Sequence, residues 1–151
     1  MSERLESFIA LSSLLTGFNE AQLWGTGVAE QHLNTLDEVL GAVLTDELLV
    51  AFQRLPVDNR LEANMSSTVL ADERLGPVAR NLIILWYTGT WTALPDDWRA
   101  TFGASPLDTT RTTSGAAYRA GLQWVVAGGH APGASHQGFG SWSIAPKARS
   151  A

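Results

Sequence analysis

Between Arg74 and Trp91 the apolar residues fall first into a stripe and then into a sleeve. Leu75, Val78, Ala79, Leu82, Ile83 and Trp86 recur at i, i+3, i+4 and i+7, the spacing of one helix face. Ile84, Leu85 and Tyr87 lie off that stripe, so the last turns are apolar on every side. Such a helix has to be covered all round. The pattern predicts a central helix entered through Asp72, Glu73 and Pro77 and left at Gly89. Its cover is either the rest of a bundle or a second chain.

The flanking segments read as further helices. Ser2 caps a first one, with Leu5, Phe8, Leu11 and Leu15 inward and a stop at Gly17. Asn19 with Gln22 restarts a helix carrying Leu23, Trp24 and Val28, weakened by Gly25 and Gly27. From Thr35 the positions Leu36, Val39, Leu40, Val43 and Leu44 form a strong stripe. It either runs on to Leu55 or breaks at Thr45-Asp46-Glu47, and Pro56 ends it. Arg60 to Leu70 is a weak short helix. Trp91 to Thr113, with Pro95, Gly103 and Pro106, reads as a long ordered loop with a brief helix over Asp96 to Phe102. Ser114 caps a last helix that carries Tyr118, Leu122, Trp124 and Val125 and stops at Gly128-Gly129. The fold class is therefore all-α: an irregular small bundle with a long loop. Residues 1–129 form the helical domain, and 130–151 an extended strap rich in Gly and Pro.

That tail has neither period, yet it holds Phe139, Trp142 and Ile144. Leaving large aromatics in water forgoes about 1.5–3 kcal/mol each. The strap lies either across a partner, with Phe139 and Trp142 as anchors, or over its own bundle.

Composition narrows the function classes. The net charge of −5 and the single lysine, Lys147, give no basic patch for nucleic acid. A charged fraction of 17% leaves a lean polar surface, which suits a subunit better than a solitary monomer. With no cysteine, the chain offers neither a disulfide nor a thiolate ligand for a metal or iron–sulfur centre. No apolar run approaches the ~20 residues of a membrane span. Met1-Ser-Glu-Arg carries no export signal, so the expected location is cytoplasmic, with periplasmic export alongside a partner, or behind a trimmed twin-arginine signal, as the alternative.

The search for catalytic chemistry returns little. Gly25-Thr-Gly27 lacks the third glycine and the preceding strand of a dinucleotide fingerprint. Ser135-His136 does not have the spacing of a nucleophile elbow. His130 and His136 have no carboxylate near them in sequence to orient a metal ligand, and His32 reads as a surface or capping side chain. The acidic pairs Asp37-Glu38, Asp46-Glu47, Asp72-Glu73 and Asp96-Asp97 mostly mark helix starts. Arg80 and Arg119, each within an apolar helix, reach the surface or pair at an interface.

Five of the six tryptophans, Trp86, Trp91, Trp98, Trp124 and Trp142, fall in the second half. Without a catalytic constellation beside them they point to binding, the competing explanation being a tryptophan-rich core.

Four blocks of sequence carry a family resemblance: Phe8-Ile-Ala-Leu-Ser-Ser-Leu-Leu-Thr-Gly17, Leu85-Trp-Tyr-Thr-Gly89, Tyr118 to Trp124, and Gly138-Phe-Gly-Ser-Trp142 before Pro146. In this order they resemble the small subunit of bacterial FAD-dependent sugar and polyol dehydrogenases of the sorbitol, fructose and glucose type. The resemblance implies a helical accessory subunit with no catalytic, cofactor or metal residue of its own. FAD and the catalytic groups would belong to a large partner subunit that this chain stabilises and helps mature. Two departures stand out. The twin-arginine signal of the family is absent. So is the cysteine that its members commonly carry before the terminal Gly-Trp segment, which excludes a covalent link to the partner. The expected partner-facing residues are Ile84, Tyr87, Trp91, Trp98, Phe139 and Trp142. The alternative is a stand-alone binding protein or enzyme with a tryptophan-lined pocket and an arginine such as Arg80 or Arg119.

Overall fold

A computed structural model describes residues 2–56 and 58–128. Among the described residues the chain is mostly helical, in line with the all-α expectation, with one two-stranded sheet. Helix α1 (Glu3–Thr16) is capped by Ser2, whose hydroxyl accepts from Leu5 N, and stops at Gly17. Helix α2 (Glu20–Gly25) starts in a reciprocal capping box between Asn19 and Gln22. Helices α3 (Ala29–Leu40) and α4 (Ala42–Gln53) follow. Next come α5 (Leu61–Met65) and a π-helical turn, Ser66–Leu70. Then the central helix, α6, runs from Leu75 to Thr88.

Strand β1 (Thr90–Trp91) pairs antiparallel with β2 (Arg111–Thr112), with Thr90 opposite Thr112 and Trp91 opposite Arg111. Between them lies α7 (Asp96–Phe102), so the long loop is a two-stranded clasp around a short helix. Helices α8 (Gly115–Arg119) and α9 (Leu122–Ala127) close the described chain, divided at Ala120-Gly121 where one continuous helix was expected.

The stripe from Thr35 breaks neither at Thr45 nor at Leu55 but at Gly41, whose φ of +86° glycine alone takes readily. The break resets the helical phase. Leu36, Val39 and Leu44 are buried, whereas Val43, assigned to the inward stripe, is 74% exposed.

The core lies where α1, α3 and α6 meet. Phe8 stacks on Trp86 at 6.1 Å between ring centroids, and the His32 ring stands edge-on to Trp86 at 4.7 Å. His32 is thus a buried core residue rather than a surface or capping side chain, 1% exposed. Its Nδ1 has no hydrogen-bond partner among the described residues, and burial pushes its pKa down to about 4 because nothing offsets the desolvation of a charged ring.

Around this core Arg4 ties three helices together. Its Nη1 and Nη2 donate to the two Asp37 carboxylate oxygens at 2.6 Å each, and its Nε donates to Asp46 Oδ1 at 2.7 Å. This two-pronged grip holds the Asp37 carboxyl below its ordinary pKa and raises that of Arg4. Asp37 therefore sits in the last turn of α3, where the helix dipole disfavours it and the guanidinium compensates. The helix-start explanation holds for Asp96 and Asp97, in the first turn of α7. It also holds for Asp72, which accepts from the backbone N–H of Arg74 and Leu75 as α6 begins.

Candidate interaction surface

The C-terminal end of α6 is where distant parts of the chain are brought together. Gly89 ends the helix at φ +75°, and a Cβ there would lie 2.6 Å from the backbone of Ala117 and Tyr118. A Cβ on Gly121 would lie 2.6 Å from the carbonyl oxygen of Tyr87. These two glycines let α8 and α9 close onto α6 backbone to backbone. From the other side the Tyr87 hydroxyl donates to the carbonyl of Thr16 at 3.2 Å, and its ring meets Phe18 edge-on at 6.1 Å. Gln31 of α3 and Ser114 complete the clasp at 2.9 Å.

Beyond this junction α9 turns its apolar side chains outward. Val125 is 60% exposed and Val126 66%, while Leu122 is buried and Trp124 Nε1 donates to the carbonyl of Tyr118 at 3.0 Å. Ile84, also on the C-terminal half of α6, is 38% exposed. Ile84 thus keeps the accessible surface expected of it, and Tyr87 is half-buried with its hydroxyl already engaged.

The structure corrects two other expectations of a partner-facing surface. Trp91 is fully buried, and its indole N–H donates to Asp108 Oδ1 at 2.8 Å. Trp98 is 6% exposed, and its indole N–H donates to the carbonyl of Arg74 at 2.8 Å. The Trp91 indole ties the loop between the strands to β1, and the Trp98 indole ties it to the residue that precedes α6. Much of the tryptophan excess is accordingly core, with Trp86 a third buried indole. Phe139 and Trp142 lie outside the described residues.

Sequence reasoning missed two features. Asp108 is a buried carboxylate that accepts from Trp91 Nε1 and from Leu94 N, with Arg99 Nε 3.4 Å away. Nothing in the stretch Ser105 to Thr110 marks it in sequence, because its partners come from β1 and the loop after it. The second is a groove beside α4. One hollow of about 340 Å³ has Val39, Leu44, Leu94 and Trp98 in its walls and Phe102 and Ser105 among its lining. It meets a shallower hollow of about 560 Å³ at Val43, lined further by Asp46, Glu47, Val50, Ala51, Arg54 and Leu75. Val43, Val50 and Phe102 are 74%, 39% and 40% exposed there. The seven-residue spacing of Val43 and Val50 is a readable signal, but only once the helix start at Gly41 is known.

The arginines of a ligand-binding reading stand elsewhere: Arg80 Nη1 donates to the Leu70 carbonyl, Arg119 packs along Gly115, and neither lines the groove. Among the described residues, no group of three or more His, Asp or Glu side chains is placed to hold a metal ion. No described helix is long and apolar enough to cross a membrane. The titratable groups lie dispersed: His32 faces an indole, Asp108 a tryptophan N–H and two backbone or guanidinium donors, Asp37 an arginine. Comparison of the chain with protein-family models, with curated proteins and with solved structures finds no match.

Proposed function

We propose that this chain is a non-catalytic small subunit that binds and stabilises the large FAD-carrying subunit of a dehydrogenase acting on a sugar, polyol or glycoside. One observation carries the reading. Three of the four resembling blocks, 8–17, 85–89 and 118–124, are far apart in sequence yet pack together at the C-terminal end of α6. They are joined by the Phe8–Trp86 stack, the Tyr87–Thr16 hydrogen bond and the backbone contacts of Gly89 and Gly121. The same junction carries the exposed Ile84, Val125 and Val126 and leads into the fourth block. Apolar side chains held outward on a rigid base are what an obligate interface requires, since such interfaces resemble a core divided in two.

The role follows from packing rather than from acid–base chemistry. Covering Ile84, Val125 and Val126 with the partner's apolar surface would stabilise both chains, and the flavin would remain with the partner. The test is purification of the full chain, tagged, from cells that also express its adjacent reading frames. The expected result is co-purification of a flavin-containing protein that oxidises a sugar or polyol with a dye acceptor. Val125→Asp combined with Val126→Asp should reduce recovery at least tenfold while the tagged chain keeps its helical circular dichroism. A tagged chain that is a monodisperse monomer, binds no hydrophobic dye and recovers no flavoprotein would overturn the reading.

A further inference from the structure

The groove beside α4 lies apart from the α6–α9 junction, and its chemistry specifies an occupant. Val43, Val50 and Phe102 lie open to solvent along it, and acids outnumber the arginines Arg54 and Arg74 around it. Asp46 and Glu47 line it, and Asp72, Glu73, Asp96 and Asp97 are exposed next in sequence to the lining residues Arg74 and Trp98. Arg74 is already paired with Glu47, and Arg4 with Asp46. A complementary segment carries large apolar groups and positive charge without acids.

The chain itself contains one such segment. All 15 Asp and Glu residues lie at or before Asp108, whereas residues 129–151 bring Lys147 and Arg149 and no acidic side chain. Just before these two cations come Phe139, Trp142 and Ile144. From this match of charge and hydrophobicity we propose that residues 139–149 dock in the groove of their own chain, with the aromatic rings on Val43 and Phe102 and the cations beside its acids.

Reach permits it. Helix α9 starts against Tyr87, and the groove lies at the other end of α6, at Leu75, about 20 Å away at about 1.5 Å per residue. The stretch from Gly128 to Phe139 spans up to about 36 Å when extended, at about 3.3 Å per residue. The hollows fall within the ~300–1,000 Å³ range that takes organic groups of aromatic size. Docking within the chain also avoids the translational cost that a separate partner would meet.

The absence of native cysteine makes disulfide trapping clean. In the full chain, Val43→Cys is paired with Ser141→Cys, and, as reference, Glu20→Cys at the start of α2 is paired with the same tail position. Docking brings the first pair within the ~4.4–6.8 Å Cα separation a disulfide needs. The expected result is an intrachain cross-link formed at least fivefold faster than in the reference pair. Adding Phe139→Ala and Trp142→Ala should return the rate to the reference level. Val50→Cys replaces Val43→Cys if the latter does not fold. Equal rates in both pairs overturn the proposal, and so does a cross-link that joins two chains, which would make a second copy the occupant. The measurement needs no partner protein, so its failure leaves the subunit reading standing, and a failed flavoprotein recovery leaves this one standing.

Discussion

Helices α4 and α6 are both rich in apolar residues, but only one of them is enclosed. Helix α6 is packed by α1, α8, α9, β1 and the π-helical turn, so Val78, Ala79, Leu82, Leu85 and Trp86 are sealed and Ile84 alone of its large apolar side chains is exposed. Helix α4 has α3, α1 and the same turn on one side and the groove on the other, leaving Val43 and Val50 bare. Apolar content sets how much surface a helix would gain by covering, and the number of neighbours within reach sets how much of it is covered. Among the described residues the exposed apolar surplus therefore sits mainly on α4, α7 and α9, with Ile84 the one contribution from α6.

That contrast fails if the two helices respond alike to substitution. Trp86→Ala should show the largest effect, a loss of about 3–5 kcal/mol in denaturant unfolding, because it empties the meeting point of α1, α3 and α6. A loss below ~1 kcal/mol would mean that the junction is not packed as described. Next comes acid. The folded-state pKa of His32 lies below its unfolded value near 6.5, so the neutral ring's contribution is fully present above that value and is lost as pH falls toward about 4. The loss approaches about 3 kcal/mol relative to a His32→Leu chain, and parallel pH–stability curves for the two proteins would remove the explanation.

Asp108→Ala strands the buried indole N–H of Trp91 and the amide of Leu94, an expected cost of about 2–3 kcal/mol. A loosened loop would appear as faster amide exchange at Leu94. Arg4→Ala should cost about 1 kcal/mol, since its carboxylate partners are partly solvated and water replaces much of the pairing. High salt should shrink that difference. The smallest effect belongs to α4: in a chain that also carries Phe139→Ala and Trp142→Ala, so that the tail has no rings to lay on it, Val43→Ser should change stability by no more than about 0.5 kcal/mol. A large loss there would show that α4's outer face is covered by more than the described residues.

The wrong turns in reading the chain share one physical origin. Periodicity identified α1, α6 and α7 and the caps Ser2, Asn19 and Ser114, because caps and stripes are satisfied within one turn of the residue that makes them. It misassigned Val43 because a single glycine at Gly41 rotates everything after it. It took Trp91 and Trp98 for surface anchors because an indole carries the same signal whether its N–H meets a partner chain or the chain's own Asp108 and Arg74 carbonyl. His32 looked like a capping residue because nothing near it in sequence announces Trp86.

By itself, then, the amino-acid order determined that this protein is a helical assembly, where most helices begin and stop, and that it carries more apolar surface than short helices can hide. Those properties depend on neighbours within a few residues along the chain. Tertiary structure alone decided which faces were covered, which carboxylate took the buried indole and where the surplus came to rest. Those outcomes depend on groups that meet only after the chain has closed on itself, with Arg4 reaching Asp37 and Asp46, and Gly89 lying against Ala117.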